Sequence, residues 1–152
     1  MSRPSVPFSL PKVYGTTSCL YKLSFNDRYV IIKAKNHEDS VKTMQKSLNQ
    51  FERGSEFQRN PNNRYFPFFE YVCKNRNGMF LVEIILESDN IYSLLKEEQL
   101  LIDKNRHDKK FLLNATEAYL PDLNETTGMY GWVPRGVGLA FLKWQKKRPK
   151  VK

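Results

Sequence analysis

The sequence predicts a small α/β (α+β) domain, with an antiparallel-containing sheet flanked by helices. Three observations lead to this prediction: an alternating hairpin-like segment, two amphipathic helical stripes, and an apolar run that lies between them. At 152 residues the chain can bury roughly two-thirds of its unfolded surface as one domain. We divide it into an extended proline-rich arm (1–18), an α/β domain (19–121), and an aromatic loop followed by a basic helix and tail (122–152).

The first segment contains Pro4, Pro7 and Pro11, which favour an extended arm over a helix or an independent core. Prolines also stand where a signal peptide has its apolar centre, so we expect no secretion by that route. No apolar run reaches the roughly 18 residues of a membrane span. A location in a virion or a host cytoplasm is expected.

Next, "CLYKLSF" and "YVIIKAK" alternate around "NDR" and predict a β-hairpin. If residues 26–27 form a two-residue turn, Leu23 pairs with Val30. Val30 then shares a face with Tyr21, and Tyr29 points to the other face. A shift of one residue would reverse this arrangement.

The first helix follows Asn36, which can cap it, and Gly54 can end it. Its buried stripe is predicted to be Val41, Met44, Leu48 and Phe51. A polar loop, "SEFQRNPNNR", and a short aromatic helix, "YFPFFEYVCKN", come after it. The run "MFLVEIILE" is apolar on both faces apart from Glu83, which is typical of a central strand.

A second amphipathic helix spans residues 91–106, and Glu98 falls in the middle of its apolar stripe. Burying an unpaired carboxylate costs several kcal/mol. Glu98 therefore requires a cationic or hydroxyl partner, a metal ion or a water-filled cleft. Cys19, Cys73, His37 and His107 have no ligand-like spacing, so a zinc site is not expected.

The C-terminal part combines the loop "NETTGMYGWVPR" with a helix, "GVGLAFLKWQKK". Tyr130 and Trp132 of the loop are candidates for an interface, with core packing as the alternative. The net charge is +9, and the last ten residues hold six of the basic side chains. We expect them to bind the DNA backbone without sequence preference, with an acidic protein surface or mere solubility as alternatives; these residues are Lys143, Lys146, Lys147, Arg148, Lys150 and Lys152.

Several of these segments, in this order, resemble the GIY-YIG nuclease domain. "CLY" stands where the family has its first motif, and "YVIIKAKN" is similar to its second motif with the following "KAKN" of DNA-repair members. "LLKEEQLLI" is similar to the helix with the metal-binding glutamate, and "LLN" places Asn114 where the family usually has an asparagine. The resemblance covers roughly residues 19–121.

The resemblance implies an active site in which Glu98 holds Mg²⁺ or Mn²⁺ beside a phosphate, near two tyrosines and an arginine. Tyr21 matches the first tyrosine, but Val30 stands at the second. The first helix has no arginine; Ser40 lies near the expected place, and Lys42 is one of two lysines there. Lysine supplies charge without the bidentate fork of arginine.

Two of five expected site residues are thus replaced, and we predict a catalytically inactive GIY-YIG-like domain used as a structural module, without a cofactor. The alternative is an active Mg²⁺- or Mn²⁺-dependent DNA endonuclease with an unusual site, in which Glu98 is the metal ligand; the other site residues would be Tyr21, Tyr29, Lys42 and Asn114. A third possibility is a DNA-binding accessory protein acting through the basic tail.

The short, basic, Asn- and Lys-rich chain with its "MYGWVP" segment is also similar to structural proteins of crAss-like phages of gut Bacteroides. That similarity implies a virion role near the DNA portal or tail connector. Its partners would be DNA and either copies of itself, in a homo-oligomeric ring, or other virion proteins.

Overall fold

A computed structural model describes residues 18–118, 120, 123–124, 129–130 and 133–149. Its main body consists of four helices and a three-stranded antiparallel sheet, which confirms the α+β class. The elements are β1 (Ser18–Phe25), β2 (Arg28–Ala34), α1 (His37–Glu52), α2 (Phe66–Lys74), β3 (Phe80–Ser88), α3 (Ile91–Asn105), β4 (Leu123–Asn124), β5 (Met129–Tyr130), β6 (Val133–Pro134) and α4 (Arg135–Lys147). The predicted N-terminal arm lies outside the described residues up to position 17.

β1 and β2 form the predicted hairpin in the predicted register. Leu23 pairs with Val30, and the turn consists of Asn26 and Asp27. Asn26 has a φ of 59°, a left-handed conformation that asparagine tolerates better than most residues. Tyr21 and Tyr29 consequently lie on opposite faces of the sheet.

The sheet has the strand order β2-β1-β3, so β1 is central and β3 lies at an edge. The prediction of a central strand for "MFLVEIILE" was wrong. Leu81 is 57% exposed and Ile84 is 42% exposed, on opposite faces of the strand. An apolar run shows that a strand is suited to burial, but it does not show that the same chain supplies both neighbours.

Helices cover the two faces of the sheet and give two cores. One core contains Tyr21, Val30 and Ile32 of the sheet. The helices α1 and α2 supply the apolar residues that pack against them, including Met44, Phe51, Phe68, Phe69 and Val72. Leu20, Tyr29 and Ile31 face the other layer, which contains Ile91, Leu94, Leu95, Ile102 and Phe141. The site residues are therefore divided between two layers.

α1 begins and ends as its sequence indicates. The side chain of Asn36 accepts a hydrogen bond from the backbone N–H of Asp39, and Gly54 has a φ of 90° just after the helix. Met44 and Phe51 are buried as predicted, whereas Val41 and Leu48 are half-buried.

The outer edge of β2 is contacted at Tyr29 by the segment after α3. Tyr29 donates its backbone N–H to the carbonyl of Lys110, and Leu112 donates to the carbonyl of Tyr29, both at 3.0 Å. The ring of Phe111 packs 5.3 Å from that of Tyr29. Residues 110–112 thus act as a short parallel neighbour of this strand.

α4 is attached to α3 through polar side chains. Gln145 donates to Gln99 at 2.6 Å, and Arg148 donates to Asp103 at 3.0 Å. Gln99 is completely buried and also donates to Asp103. Among the helices in the described ranges, none has the length and apolar character needed to cross a bilayer.

Candidate functional site

Glu98 occupies the centre of the buried stripe of α3, as its position in the sequence predicts. Only 1% of the residue is exposed, and Leu94, Leu95 and Ile102 around it are fully buried. Asn90 caps the helix by accepting a hydrogen bond from the backbone N–H of Ser93. The helix therefore presents a carboxylate to the apolar core layer beneath the sheet.

The first partner of Glu98 is Lys33, near the end of β2. Its Nζ lies 3.2 Å from Oε1 of Glu98, and both side chains are 2% exposed. Strand alternation places Lys33 on the same face as Tyr29 and Ile31, which is the face that α3 covers. The pair joins the edge strand to the helix across the core.

The second partner is Arg64, from the loop between α1 and α2. One terminal nitrogen (Nη2) lies 3.1 Å from Oε2 of Glu98, and the other donates to the carbonyl of Glu117 at 3.1 Å. The Arg64 side chain is 18% exposed. Each carboxylate oxygen of Glu98 thus accepts a hydrogen bond from a different cation.

Asn114 holds the loop that delivers Arg64. Its amide donates to the carbonyls of Pro61 and Asn63 at 2.7 and 3.2 Å, and its backbone N–H donates to the carbonyl of Arg64 at 2.8 Å. The predicted site residues Glu98 and Asn114 are thus brought into one region. Asn114 acts there on the backbone of the loop.

The cluster of Glu98, Lys33 and Arg64 brings one carboxylate and two cations together in a largely buried environment. Burial lowers the pKa of Lys33, and the charge of Glu98 opposes that change. Burial also raises the pKa of the adjacent Tyr65 to about 12, with the charge of Arg64 opposing the rise. The carboxylate offsets part of the cost of burying the cations, and removal of one member of such a buried group is strongly destabilising.

This donor set does not fit a divalent metal ion. Both oxygens of Glu98 face cations, which would repel a second positive charge, and Mg²⁺ prefers carboxylate, carbonyl and water oxygens. In the described ranges, no three His, Cys, Asp or Glu side chains form a group that could hold a metal ion.

Tyr21 lies on the opposite face of the sheet from Glu98. It is fully buried, and its hydroxyl lies 2.7 Å from the hydroxyl of Ser40 on α1. Burial raises the pKa of Tyr21 to about 12, and the hydrogen bond with Ser40 opposes the rise. Ser40 stands near the position where the resemblance calls for an arginine, so a hydroxyl–hydroxyl contact occupies that place.

Tyr29 lies on the same face as Glu98 but near the other end of the hairpin. Four residues separate it from Lys33 along β2, which corresponds to roughly 13 Å. Its hydroxyl hydrogen is shared between two acceptors, Oδ2 of Asp108 at 2.7 Å and Oδ1 of Asn105 at 3.0 Å. Burial and the charge of Asp108 raise the pKa of Tyr29.

Lys42, the remaining catalytic candidate, is exposed on α1. It borders a shallow depression beside β3, together with Val41, Val82 and Ile84. It is therefore on the Tyr21 side of the sheet. The five candidates do not converge on one position, because they are divided between the two faces and the two ends of the hairpin.

The basic C-terminal residues fall into two groups. Lys143, Lys146 and Lys147 are exposed on α4, whereas Arg148 is 7% exposed and forms ion pairs with Asp103 and Glu117. Arg148 therefore fixes the end of α4 to the core. Lys150 and Lys152 lie outside the described residues.

The two aromatic interface candidates lie largely outside the described part of the chain. Only the backbone of Tyr130 is described, as part of β5. Trp132 is outside it altogether, so the interface prediction for both residues stays a prediction.

Comparison with family models, curated proteins and solved structures gives no match for this chain. The resemblance to the GIY-YIG domain and to phage structural proteins therefore stays a prediction.

Two residues of the cluster were not predicted from the sequence. Lys33 could have been found, because alternation places it on the buried face of β2, where a lysine needs a carboxylate such as Glu98. Pairing of Glu98 with a lysine is one of the alternatives that its burial implied. Arg64 gave no signal, since it belongs to a polar loop without periodicity.

Proposed function

We propose that this chain is a non-catalytic α+β module whose central charged residues stabilise the fold, and that it works by binding other macromolecules. One observation carries the proposal: both oxygens of the buried Glu98 carboxylate accept hydrogen bonds, one from Lys33 and one from Arg64. A catalytic carboxylate needs access to a metal ion, water or substrate. The separation of Tyr21 and Tyr29 onto opposite faces supports the same conclusion.

Anionic partners are part of the proposal, because Lys143, Lys146 and Lys147 extend from one end of α4 into solvent. Lysines placed in this way suit non-specific contact with phosphates or acidic surfaces. Use in a phage connector, with several copies in a ring, is the setting that the sequence predicts.

A plasmid-nicking assay with Mg²⁺ or Mn²⁺ tests the absence of catalysis. The purified chain and Glu98→Gln are compared with a buffer control over the same protein concentrations. Gln keeps the shape of Glu98 and removes its charge. We expect both proteins to leave supercoiled plasmid at the level of the buffer control.

Nicking by the parent chain that disappears in Glu98→Gln, while circular dichroism shows that the variant is folded, would establish the alternative of an active endonuclease. Equal nicking by both proteins would indicate a contaminating nuclease, and repurification would then have to remove it for the proposal to stand.

A further inference from the structure

The outer edge of β3 has no neighbouring strand among the described residues. Eight of its nine residues, all but Ile85, pair with β1 on one side, and no other part of the described chain pairs with them on the other. Such an edge presents backbone N–H and C=O groups to any strand that approaches. Soluble proteins normally shield such an edge with charges, prolines or a covering segment.

The edge is also apolar on both faces. Phe80 and Ile84 are 43% and 42% exposed on the α1 side, and Leu81 is 57% exposed on the other side. Met79, just before the strand, is 80% exposed. Water-exposed apolar residues grouped on a strand edge indicate a surface that is covered by another protein.

The α1 side of the edge continues into a groove. Val82 and Ile84 line the depression next to Val41, and Phe80 lines an apolar cavity of about 140 Å³ with Met44 and other residues of α1 and α2. A strand placed beside β3 would therefore extend the sheet and cover this groove.

We propose that β3 pairs with β3 of a second copy of this chain, antiparallel and about a two-fold axis at Val82. The result is a continuous six-stranded sheet with the strand order β2-β1-β3-β3-β1-β2. The proposal of this assembly is independent of the proposed function, because the β3 edge could pair in this way whether or not the chain cleaves DNA.

The side-chain pattern selects this register. A two-fold axis perpendicular to the sheet leaves each side chain on the face that it already occupies. Residues that lie opposite each other in an antiparallel pair point to the same face of the sheet. The axis must therefore lie between one residue and the same residue of the second copy. With the axis at Val82, Phe80 lies opposite Ile84 of the second copy, and Met79 lies opposite Ile85. Exposed apolar residues thus meet one another on both sides of the axis.

Charge disfavours two of the neighbouring registers. An axis at Glu83 would place two copies of that carboxylate opposite each other, and an axis at Ile85 would place Glu83 opposite Glu87. An axis at Ile84 leaves Phe80 opposite Ser88, whereas an axis at Val82 leaves it opposite Ile84. The register at Val82 places Glu83 opposite Leu81 and centres the contact on the part of β3 before the irregularity in its pairing with β1.

A second copy also fits better than the N-terminal arm of the same chain. Pro4, Pro7 and Pro11 lack backbone N–H donors and fall at both odd and even positions, so any strand register loses donors. β3 itself has no proline and can donate along its length.

The test compares two lysine variants with equally exposed parent residues. Ile84→Lys places a charge next to the proposed axis, and Leu139→Lys places one on α4, where the leucine is also 42% exposed. Sedimentation velocity should show association of the parent chain and of Leu139→Lys. Ile84→Lys should raise the dissociation constant on the order of 100-fold, because the two apolar contacts between Ile84 and Phe80 are lost and a charge is placed against Phe80 in each of them.

A cysteine pair supplies a second readout that does not depend on weakening the assembly. In a Cys73→Ser background, Val82→Cys should form a covalent dimer under mild oxidation, since opposite residues of antiparallel strands lie within disulfide reach. Leu139→Cys in the same background is the control and should react much more slowly.

A monomeric parent chain at high concentration would overturn the proposal, as would equal association of Ile84→Lys and Leu139→Lys, both folded by circular dichroism. Equal crosslinking of the two cysteine variants would overturn the register. Nicking by the parent chain would instead contradict only the absence of catalysis.

Discussion

The outer edges of β2 and β3, the two outer strands of the sheet, have different surroundings. The edge of β2 is covered by residues 110–112 through backbone hydrogen bonds and the ring of Phe111, and the buried pair of Lys33 and Glu98 joins the strand to α3. The edge of β3 has no such neighbour in the described chain and exposes apolar residues. One edge has a neighbour at Tyr29 within the molecule, and the other has no neighbouring strand among the described residues.

Each outer strand also takes part in a lysine–glutamate pair, in very different surroundings. Lys33 and Glu98 are both 2% exposed and 3.2 Å apart, whereas Lys22 and Glu83 are 38% and 54% exposed and 3.9 Å apart. The same pair of side chains is therefore expected to contribute differently to stability in the two places. A buried pair becomes essential to the fold once formed, while an exposed pair competes with water and contributes little.

The largest effect is expected from Glu98→Ala. It removes the carboxylate that accepts hydrogen bonds from both Lys33 and Arg64, and the free energy of unfolding should fall by about 3–5 kcal/mol. Urea denaturation followed by circular dichroism measures this change.

Glu83→Ala is the matched control, since it removes a glutamate paired with a lysine at the other edge. It should change stability by less than about 1 kcal/mol. Similar losses of unfolding free energy in both variants would show that the buried and the exposed pair contribute equally to stability.

A smaller effect is expected from Tyr29→Phe at the covered edge. The variant keeps the ring contact with Phe111 and loses the hydrogen bonds to Asp108 and Asn105, so stability should fall by about 1 kcal/mol. Thermal unfolding at neutral pH is the measurement. An unchanged melting temperature would mean that water replaces these bonds without cost.

The smallest effect concerns acid stability. The backbone N–H of Lys110 and the hydroxyl of Tyr29 lower the pKa of Asp108. Its folded pKa thus lies below the unfolded value, so its contribution is present above about pH 4 and is lost as the pH falls through the folded pKa.

Asp108→Asn should therefore lose less stability than the parent chain on acidification, as measured by melting temperatures between about pH 6 and pH 3. In a double-mutant cycle with Tyr29→Phe, the combined loss at neutral pH should be smaller than the sum of the two single losses. Additive losses would contradict a direct coupling of the two side chains.

Local patterns predicted much of the fold. Alternation and the Asn26–Asp27 turn fixed the hairpin register, and capping residues with apolar stripes located α1 and α3. These features depend on neighbours in sequence. The edge position of β3 could not be obtained in this way, because strand order depends on pairings between distant segments.

In the candidate site, too, features set by neighbours in sequence could be predicted and contacts between distant segments could not. The burial of Glu98 followed from its place in a helical stripe, and its lysine partner could have been inferred from the alternation of β2. Arg64 reaches the cluster because Asn114, fifty residues later, holds its loop in place. Nothing in a single polar loop indicates such a contact.

The order in which the chain is synthesised gives the charged cluster a further meaning. Lys33 and Arg64 leave the ribosome before Glu98, which follows them by 65 and 34 residues. Until α3 emerges, burial of either cation would be opposed by its loss of hydration. The hairpin can therefore close on α1 and α2 first, through the apolar face that holds Tyr21. The opposite layer has to wait for α3 and α4, which supply most of its apolar residues, and Glu98 arrives with the first of these helices.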